Sequence, residues 1–443
     1  MKKIILAIIG IVAIALIAVG TRYFLAFNGF LDKITEQKPE MKQYSVVVLN
    51  DSELKTSEDL KNRSVGFLKT DPKAANAAEK LESEIEIEID YFDDIDLLVE
   101  TLENRIIDAI SLESDRLEIL KEENVLKIAG DEAEEDTKKP AKEVKIIYTF
   151  EIELESENIE IANKEITKEP FIIYVSGSDS RNGIKATARS DVNIVAVVNI
   201  EKGKILLVSI PRDTYVQLHD TTGLKDKLTH AGIYGIEMSK TTIEDFLGIK
   251  IDYTLKVSFE TVVKVVDEVD GIEITSEKEM HLRSETGEKC DYVVGKQLVN
   301  GACALRFARE RKSYQTGDRH RGENQQQVIT SIIGKLSNSK DYVLKLPTIL
   351  DIASDSFETT LKRDDIMSFI RMQLGNSINW KVESISVDGT GTYEPTYSMG
   401  SNRPLYVMIP NPTSVQNAQN KINEYLIIEE PEEDIQETET IDE

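Results

Sequence analysis

The chain has 443 residues, of which 40% are hydrophobic and 30% are charged, and its formal net charge is -27 at pH 7. This length and hydrophobic content support one or more packed cores and exclude an intrinsically disordered chain. The negative charge repels nucleic-acid phosphates at long range, so we expect no nucleic-acid partner, and a polyanionic ligand has to be bound by a local cluster of basic residues.

An apolar run near the N-terminus predicts a membrane-spanning helix. Lys2 and Lys3 precede the apolar residues 4–20. As a helix those residues span about 26 Å, and residues 23–25 extend the run toward the roughly 30 Å of a bilayer core. Because flanking lysines stay on the cytoplasmic side, the N-terminus is predicted to be cytoplasmic and the bulk of the chain extracellular.

We therefore expect residues 1–25 to form a single-pass signal anchor in the cell membrane, followed by a tether over residues 26–43. A cleaved signal peptide is the alternative, because the small residues 18–20 have the character of a cleavage site.

Alternating strand and helix patterns over residues 44–154 predict a small α/β domain. An acidic loop is expected at residues 132–142. The predicted strands cover residues 45–49, 64–68, 85–91, 107–112 and 144–154, and the predicted helices cover residues 57–61, 74–83 and 95–104.

A second α/β domain is predicted over residues 165–428, with a central mixed sheet flanked by helices. Residues 429–443 carry nine acidic residues in fifteen and show no periodicity, so we expect a disordered acidic tail. The two cysteines, Cys290 and Cys303, form a disulfide if the compartment is oxidising, or two buried thiols if it is not.

Acidic and basic side chains gather at the predicted ends of three neighbouring strands. Asp179 follows the apolar strand 171–175, and Asp191 opens a hairpin whose second strand ends just before Arg212 and Asp213. The end of the second strand of a hairpin lies beside the start of the first, so Arg212 and Asp213 should neighbour Asp191. Asp179 joins them if its strand also pairs antiparallel with the hairpin.

An arginine-rich segment follows in the C-terminal half of the second domain. Alternation predicts that Arg309 and Arg311 share one face of an extended segment. Helical spacing of the apolar residues after Val328 puts Arg321 and Gln325 at or near a helix N-terminus, which favours anions. In so acidic a chain, several arginines around one site indicate an oligophosphate ligand.

Each of these motifs alone has a structural alternative. Arg309 and Arg311 fit a solvated strand face equally well, and Asp179 and Asp191 fit loop caps. The four histidines have no zinc-binding spacing, so no histidine metal site is expected.

Taken together, the motifs resemble the catalytic domain of the LytR-CpsA-Psr family from residue 171 to about residue 426. The motifs that carry the resemblance, in the family's order, are residues 177–181, 188–191, 209–214, 226–231, 266–272 and 306–326. Two positions depart from the common pattern: many members have Gly-Gly where Val269, Asp270 and Gly271 stand, and many have Arg in place of Asn324. Segments 57–66, 91–94 and 108–110 resemble half of an extracellular solute-binding protein, so we interpret the first domain as an accessory module.

The family resemblance implies a membrane-bound, metal-dependent glycosyl-phosphate transferase. It would transfer a polyprenyl-pyrophosphate-linked glycan, such as teichoic acid or capsule, to a peptidoglycan acceptor through a phosphodiester bond and release polyprenyl phosphate. The implied metal ligands for Mg²⁺ (or Mn²⁺) are Asp179 and Asp191. The implied pyrophosphate-binding residues are Arg189, Arg212, Arg309, Arg311, Arg321 and Gln325, and the catalytic residues are Arg189, Arg212 and Asp213, with Asp213 as a candidate base. A membrane-anchored lipid or solute sensor and a transcriptional attenuator are the alternative functions.

Overall fold

The computed structural model describes residues 39–129, 142–154, 164–178, 186–314, 318–338, 357–376 and 378–427, together with residues 29, 31, 32, 35 and 184. Among these residues, none of the helices combines the length and the apolar character needed to cross a bilayer. The predicted anchor at 1–25 and the predicted tail at 429–443 lie outside the described residues.

A six-stranded mixed sheet forms the first unit, with strands in the order β3-β2-β4-β1-β6-β5. The strands are β1 (Met41–Leu49), β2 (Ser64–Leu68), β3 (Glu88–Phe92), β4 (Ala109–Glu113), β5 (Leu126–Ile128) and β6 (Lys142–Glu153). The helices are α1 (Ala74–Glu84), α2 (Ile95–Glu103) and α3 (Ser114–Glu122), and a short 3-10 helix spans Ser57–Leu60.

The helices of the first unit cover both faces of its sheet. Helix α2 begins where the Asp94 side chain accepts hydrogen bonds from the first-turn amides of Asp96 and Leu97, and it buries Leu98 against the sheet. Helix α1 buries Leu81 against the opposite face. The predicted alternation of strands and helices is confirmed for this unit, but α3 and β5 were not predicted.

A second six-stranded mixed sheet lies at the centre of the second unit, in the order β17-β12-β7-β8-β9-β18. Its long strands are β7 (Phe171–Ser178), β8 (Val192–Asn199) and β9 (Lys204–Ser209). They form two consecutive antiparallel pairs, whereas β12 joins β7 and β18 joins β9 in parallel. The remaining elements, in chain order, are β10 (Tyr215–Val216), β11 (Asp226–Lys227), α4 (Leu228–Ala231), a 3-10 helix (Gly232–Tyr234), α5 (Ile236–Leu247), β12 (Tyr253–Ser258), α6 (Phe259–Glu268), β13 (Ile272–Ser276), β14 (Met280–Arg283), β15 (Lys289–Tyr292), β16 (Gly295–Val299), α7 (Gly301–Ala308), α8 (Asp318–Asn338), β17 (Phe357–Thr359), α9 (Arg363–Asn376), β18 (Lys381–Ser386), β19 (Gly389–Thr396), β20 (Gly400–Pro410) and α10 (Pro412–Leu426).

Strand β8 is buried along its whole length, because both faces of the central sheet are covered by helices. On one face, Val195 and Val197 pack with Ile243 of α5 and Ile422 of α10. On the other face, helices α6 to α9 lie over the sheet. This is the predicted α/β architecture with a central mixed sheet.

Cys290 and Cys303 form a disulfide that joins strand β15 to helix α7. Helix α7 begins at Asn300, whose side chain accepts a hydrogen bond from the amide of Cys303. Of the two alternatives left open by the sequence, a disulfide or two buried thiols, the structure has the disulfide.

The two units are joined by buried polar contacts. The Arg116 side chain of α3 donates to the carbonyl oxygen of Ser398 and to the Tyr234 hydroxyl, and it is only 1% exposed. Near the start of β1, the carbonyl oxygen of Met41 accepts a hydrogen bond from the amide of Thr187. Helix α3 is therefore held firmly against the second unit, close to the segment that contains Arg189.

Candidate functional site

Three strand ends of the central sheet meet at one edge. In the β7–β8 pair Gly177 lies opposite Val192, and the amide of Asp191 donates to the carbonyl oxygen of Gly177 at 2.9 Å. In the β8–β9 pair Ile194 lies opposite Ser209. The residues just before β8 and just after β9 are thereby brought together, as the hairpin pattern predicts.

Arg212 and Asp191 are in direct contact at this edge. The guanidinium of Arg212 donates to the Asp191 carboxylate, and both side chains are largely buried. A second ion pair lies beside the first, where the Lys227 ammonium is 3.2 Å from a carboxylate oxygen of Asp213. The predicted adjacency of Arg212 and Asp213 to Asp191 is confirmed for Arg212, and Asp213 lies next to it.

The Asp213 carboxylate is surrounded by positive charge. Burial alone would raise the pKa of Asp213, but the nearby Lys227, Arg212 and Arg321 outweigh it and hold the pKa below its usual value. Asp213 is therefore ionised at neutral pH and is a weak proton acceptor.

A ladder of backbone hydrogen bonds positions Arg189. The amide of Ser190 donates to the carbonyl oxygen of Thr229 at 3.0 Å, and the amide of Thr229 donates to that of Arg212 at 2.9 Å. Gly232 packs so closely on this segment that a Cβ there would lie 2.3 Å from the carbonyl oxygen of Ala188. The backbone of Arg189 and the backbone of Arg212 are thus held at a fixed separation by Thr229 of helix α4.

Arg189 forms a two-point ion pair with the first unit. Its two terminal nitrogens donate to the two carboxylate oxygens of Glu122 at 2.7 and 2.9 Å. Burial disfavours the charged guanidinium, but the bonds to Glu122 and the nearby Asp191 and Asp115 outweigh it and raise the pKa of Arg189. Arg189 is therefore a permanent cation held at the end of helix α3.

Asp115, also on α3, borders the same cluster. Burial raises the pKa of Asp115 to about 7, and the neighbouring Glu113 and Asp191 add to this effect while Arg189 opposes it. This carboxyl group titrates near neutral pH beside two residues of the predicted site.

The predicted extended segment with Arg309 and Arg311 on one face is wrong. Helix α7 continues to Ala308, and Arg309 follows it with helical backbone angles. The helix forms because Asn300 caps it and small residues pack its buried face. The Arg309 guanidinium lies 4.2 Å from the centre of the Phe259 ring and pairs with Glu285, whereas Arg311 is exposed beyond the helix end.

Arg321 and Gln325 lie in the first turns of helix α8, as predicted. Both side chains are 8% exposed, and the charge of Arg321 reaches Asp213. A Cβ at Gly322 would be 3.1 Å from the Ser209 hydroxyl oxygen, so the start of α8 lies directly against the end of β9. Arg321 therefore belongs to the same cluster as Arg212.

The two departures from the family pattern have local structural explanations. The Asn324 side chain is buried and donates to the carbonyl oxygen of Phe307, so it joins α8 to α7 instead of facing a ligand. Asp270 and Gly271 both have positive φ, at 58° and 80°, a conformation that glycine adopts without strain and that aspartate tolerates better than most residues.

An apolar cavity of about 390 Å³ opens beside the arginine cluster, between the central sheet and helices α6 to α8. Arg309 and Gln325 are its polar lining residues with long side chains. Most of its lining is aliphatic: residues 173, 175, 192, 194, 196, 198, 205, 207, 255, 257, 262, 265, 305, 308, 328, 329, 332 and 333 belong to this group. Within segment 262–269, Val262 and Val265 line the cavity, whereas Val266 and Val269 are buried in the core.

Only one of the two predicted metal ligands is described. Asp179 lies outside the described residues, and Asp191 is paired with Arg212. The hydroxyl of Ser178, adjacent in sequence to Asp179, is buried and has no hydrogen-bond partner among the described residues. No group of three or more metal-ligating side chains occurs in the part of the chain that the structure describes. A carboxylate and a hydroxyl are hard oxygen donors of the kind that suits Mg²⁺.

His230 belongs to a buried network and not to an exposed site. Its Nδ1 is 2.7 Å from an Asp226 carboxylate oxygen, and Ser398 bonds to both residues. Burial lowers the pKa of His230, although Asp226 opposes this. The network fixes the backbone beside Lys227, so the contacts of His230 are those of a structural residue.

Three charged residues of the cluster were not assigned by sequence: Lys227, Asp115 and Glu122. Lys227 lies in motif 226–231, so the sequence could have indicated that it belongs to the site. Asp115 and Glu122 gave none, because their contacts with Arg189 join residues that are distant in sequence.

Comparison with known proteins identifies relatives of the second unit. The LytR_cpsA_psr family model matches residues 126–423, more than half of the chain. The chain is 29% identical over 266 residues to the polyisoprenyl-teichoic acid–peptidoglycan teichoic acid transferase TagV of Bacillus subtilis (strain 168), covering 59% of this chain and 66% of that relative. It is 34% identical over 226 residues to the enzyme named TagU of Enterococcus faecalis (strain ATCC 700802 / V583), covering 51% of this chain and 72% of that relative. The crystal structure of B. subtilis TagV superposes with a TM-score of 0.49 at 30% identity, over 58% of this chain and 98% of that chain.

Proposed function

The chain belongs to the LytR-CpsA-Psr family, and from this premise we propose that it transfers a polyprenyl-pyrophosphate-linked glycan to peptidoglycan. The names of the two curated relatives describe transfer of teichoic acid to peptidoglycan. The observation that carries the proposal is the largely buried cluster of Arg189, Arg212, Lys227 and Arg321 beside an apolar cavity. Such a pair of features suits a ligand with an oligophosphate head and a hydrocarbon tail.

In this reaction the acceptor hydroxyl oxygen of peptidoglycan bonds to the phosphorus that carries the glycan. The bridging oxygen-phosphorus bond of the pyrophosphate breaks, and polyprenyl phosphate leaves with the electron pair. The hydroxyl proton passes to solvent or to a carboxylate. Glycan and wall are then joined through a phosphodiester.

The basic side chains bind and orient the pyrophosphate and stabilise the charge on the leaving phosphate. Arg212 is fixed by Asp191 and by the backbone bond from Thr229, so its donors are preorganised. Arg309 and Gln325, at the lining of the cavity, lie where the head and the tail of the lipid would meet. The preformed arrangement lowers the barrier because no reorganisation is needed when charge develops.

A divalent metal ion, Mg²⁺ or Mn²⁺, is part of the proposal. Asp191 and Asp179 would hold it, with the Ser178 hydroxyl as a neighbouring oxygen donor. When bound, the ion would neutralise the pyrophosphate oxygens as a Lewis acid.

The proposed location is the outer face of the cell membrane, with residues 1–25 as the anchor. A membrane-bound lipid substrate and a cell-wall acceptor both require this location. The Cys290–Cys303 disulfide supports it, because disulfides persist in oxidising compartments.

The experiment that tests the function is transfer in vitro. Full-length protein in detergent is mixed with a lipid-pyrophosphate-linked glycan and peptidoglycan oligomers, and products are analysed by mass spectrometry. Phosphodiester-linked glycan on the oligomers supports the proposal. Intact lipid substrate with the wild-type protein, under conditions in which a related transferase is active, contradicts it.

A further inference from the structure

Helix α3 of the first unit brings a carboxylate to the arginine cluster of the second. Glu122 is the last residue of that helix, and its two oxygens accept from the two terminal nitrogens of Arg189. This fork-like arrangement is the one in which a guanidinium binds two oxygens of a phosphate group. The carboxylate thus occupies the position on Arg189 that an anionic ligand would take.

The surroundings of Glu122 are those of a bound anion. Burial would raise its pKa, but the bonds from Arg189 and the charges of Arg189, Arg212 and Lys227 outweigh burial and lower it. Glu122 is therefore ionised, and its charge interacts with three cations of the cluster.

The side chain of Glu122 can leave without a movement of the helix. It is 52% exposed, so its carboxylate reaches water by a change of rotamer. The helix itself is fixed by Arg116, which is buried and bonded to Ser398 and Tyr234. A rotamer change costs little compared with moving a docked helix, so release of Arg189 is a local event.

We propose that Glu122 is an internal competitor for Arg189, which occupies this arginine in the unloaded enzyme and gives it up when pyrophosphate binds. The inference rests on the proposed function, because it takes Arg189 to be a pyrophosphate-binding residue. Glu122 lies outside residues 126–423, so the part of the chain that matches the family does not contain it. The first unit is then a regulator of ligand affinity as well as a scaffold. After transfer, the remaining monophosphate has fewer oxygens to hold the cluster, and return of Glu122 to Arg189 favours its release.

The test is the affinity of full-length protein in detergent for inorganic pyrophosphate, measured by calorimetry with Mg²⁺ present. Glu122→Gln removes the charge and keeps the shape, so affinity should rise about threefold to tenfold, the range expected for a partly exposed two-point ion pair. Glu122→Asp keeps the charge but is too short for the two-point contact, and it should also raise the affinity. Glu118→Gln is the matched control, because Glu118 lies one turn earlier on α3 and pairs with Lys121. It removes the same charge and should leave the affinity unchanged.

A double-mutant cycle separates competition for Arg189 from a general effect of charge. In an Arg189→Gln background, Glu122→Gln should raise the affinity much less than it does in the wild type, because only the weaker interactions of Glu122 with Arg212 and Lys227 remain. An equal rise in both backgrounds overturns the inference, and so does weaker binding by Glu122→Gln, which would mean that Glu122 supports the site. If wild type and Arg189→Gln bind pyrophosphate equally, the site proposed for the function fails as well. If binding depends on Arg189 but not on Glu122, the inference alone fails.

Discussion

Arg212 donates a hydrogen bond to Asp191 across the open end of the β8–β9 hairpin. The contact joins a proposed phosphate-binding cation to a proposed metal ligand. A phosphate bound by Arg212 would therefore lie next to any cation on Asp191, and both should act on the same oxygen atoms.

We expect Arg212→Lys to reduce turnover strongly, although it preserves charge. Lysine is a point charge, whereas a guanidinium can bind Asp191 and a phosphate oxygen together. Removing one preorganised donor costs roughly 3 to 4 kcal/mol, or about a hundredfold to a thousandfold in rate. Transfer assays give kcat and KM separately, and KM should change less. Arg63→Lys is the control, because Arg63 lies in the first unit beside Asp108 and outside the cluster. If Arg63→Lys lost activity while Arg212→Lys kept the wild-type rate, our assignment of the active site to the second unit would be wrong.

Chelation should abolish transfer, and added Mg²⁺ or Mn²⁺ should restore it. Without a cation, the negative charges of Asp191 and Asp179 would repel the phosphates of the substrate. Asp191→Asn should raise the metal concentration required for half-maximal activity. Full activity in excess chelator would reject the metal assignment.

The apolar cavity should retain polyprenyl phosphate or pyrophosphate when the protein is purified from a lipid-containing host. Organic extraction and mass spectrometry identify the lipid, and added lipid should raise the melting temperature. Ala308→Phe adds a ring to the cavity lining and should abolish both effects. Ala302→Phe changes the same helix outside the lining and should not. A lipid-free wild-type protein whose melting temperature does not respond to lipid would contradict this assignment.

Asp115→Asn should stabilise the protein more at pH 8 than at pH 5. Asp115 has a pKa of about 7 in the folded protein, above its usual 3.8, so the folded state binds a proton that the unfolded state lacks between those values. The free energy of unfolding of the wild type therefore falls as the pH rises from about 4 to about 7, and it stays at this lower value above pH 7, where the buried carboxylate is charged. Thermal melts of metal-free protein measure the difference, and the exposed Asp93→Asn provides a control. A difference between Asp115→Asn and wild type that does not change with pH would contradict the assignment.

Gly232→Ala should destabilise the protein by about 1 to 3 kcal/mol and lower transfer activity. The new methyl group would overlap the carbonyl oxygen of Ala188 and displace the segment that positions Arg189. Gly334→Ala, within helix α8, adds a Cβ that meets no atom of the described residues within 4 Å, and it should be neutral or stabilising. Chemical denaturation and transfer assays distinguish the two. Equal stability of both variants would show that the Gly232 contact relaxes without cost.

The β8–β9 hairpin and the contact between Arg212 and Asp191 were predictable from sequence. Strand alternation and turn position are local signals, and antiparallel pairing then fixes which ends meet. The same reasoning gave a wrong prediction for Arg309 and Arg311. The N-cap at Asn300 starts a helix that continues to Ala308, and the alternating pattern does not form a strand.

Helix α3 was missed for a different reason. Arg116 lies on its buried face and is 1% exposed, so the apolar pattern that marks a helix is interrupted where the helix packs most tightly. The Glu122–Arg189 pair depends on that packing and joins residues 67 positions apart. No short-range pattern records such a contact.

The family match begins at residue 126, yet strands β5 and β6 within it belong to the first sheet, where β5 pairs with β6 and β6 pairs with β1. The start of the family match therefore lies within a hydrogen-bonded sheet and not between two domains. In laboratory recombination between relatives, the first sheet should therefore be exchanged as a whole together with α3, because a crossover at residue 126 would separate two of its six strands, β5 and β6, from the other four.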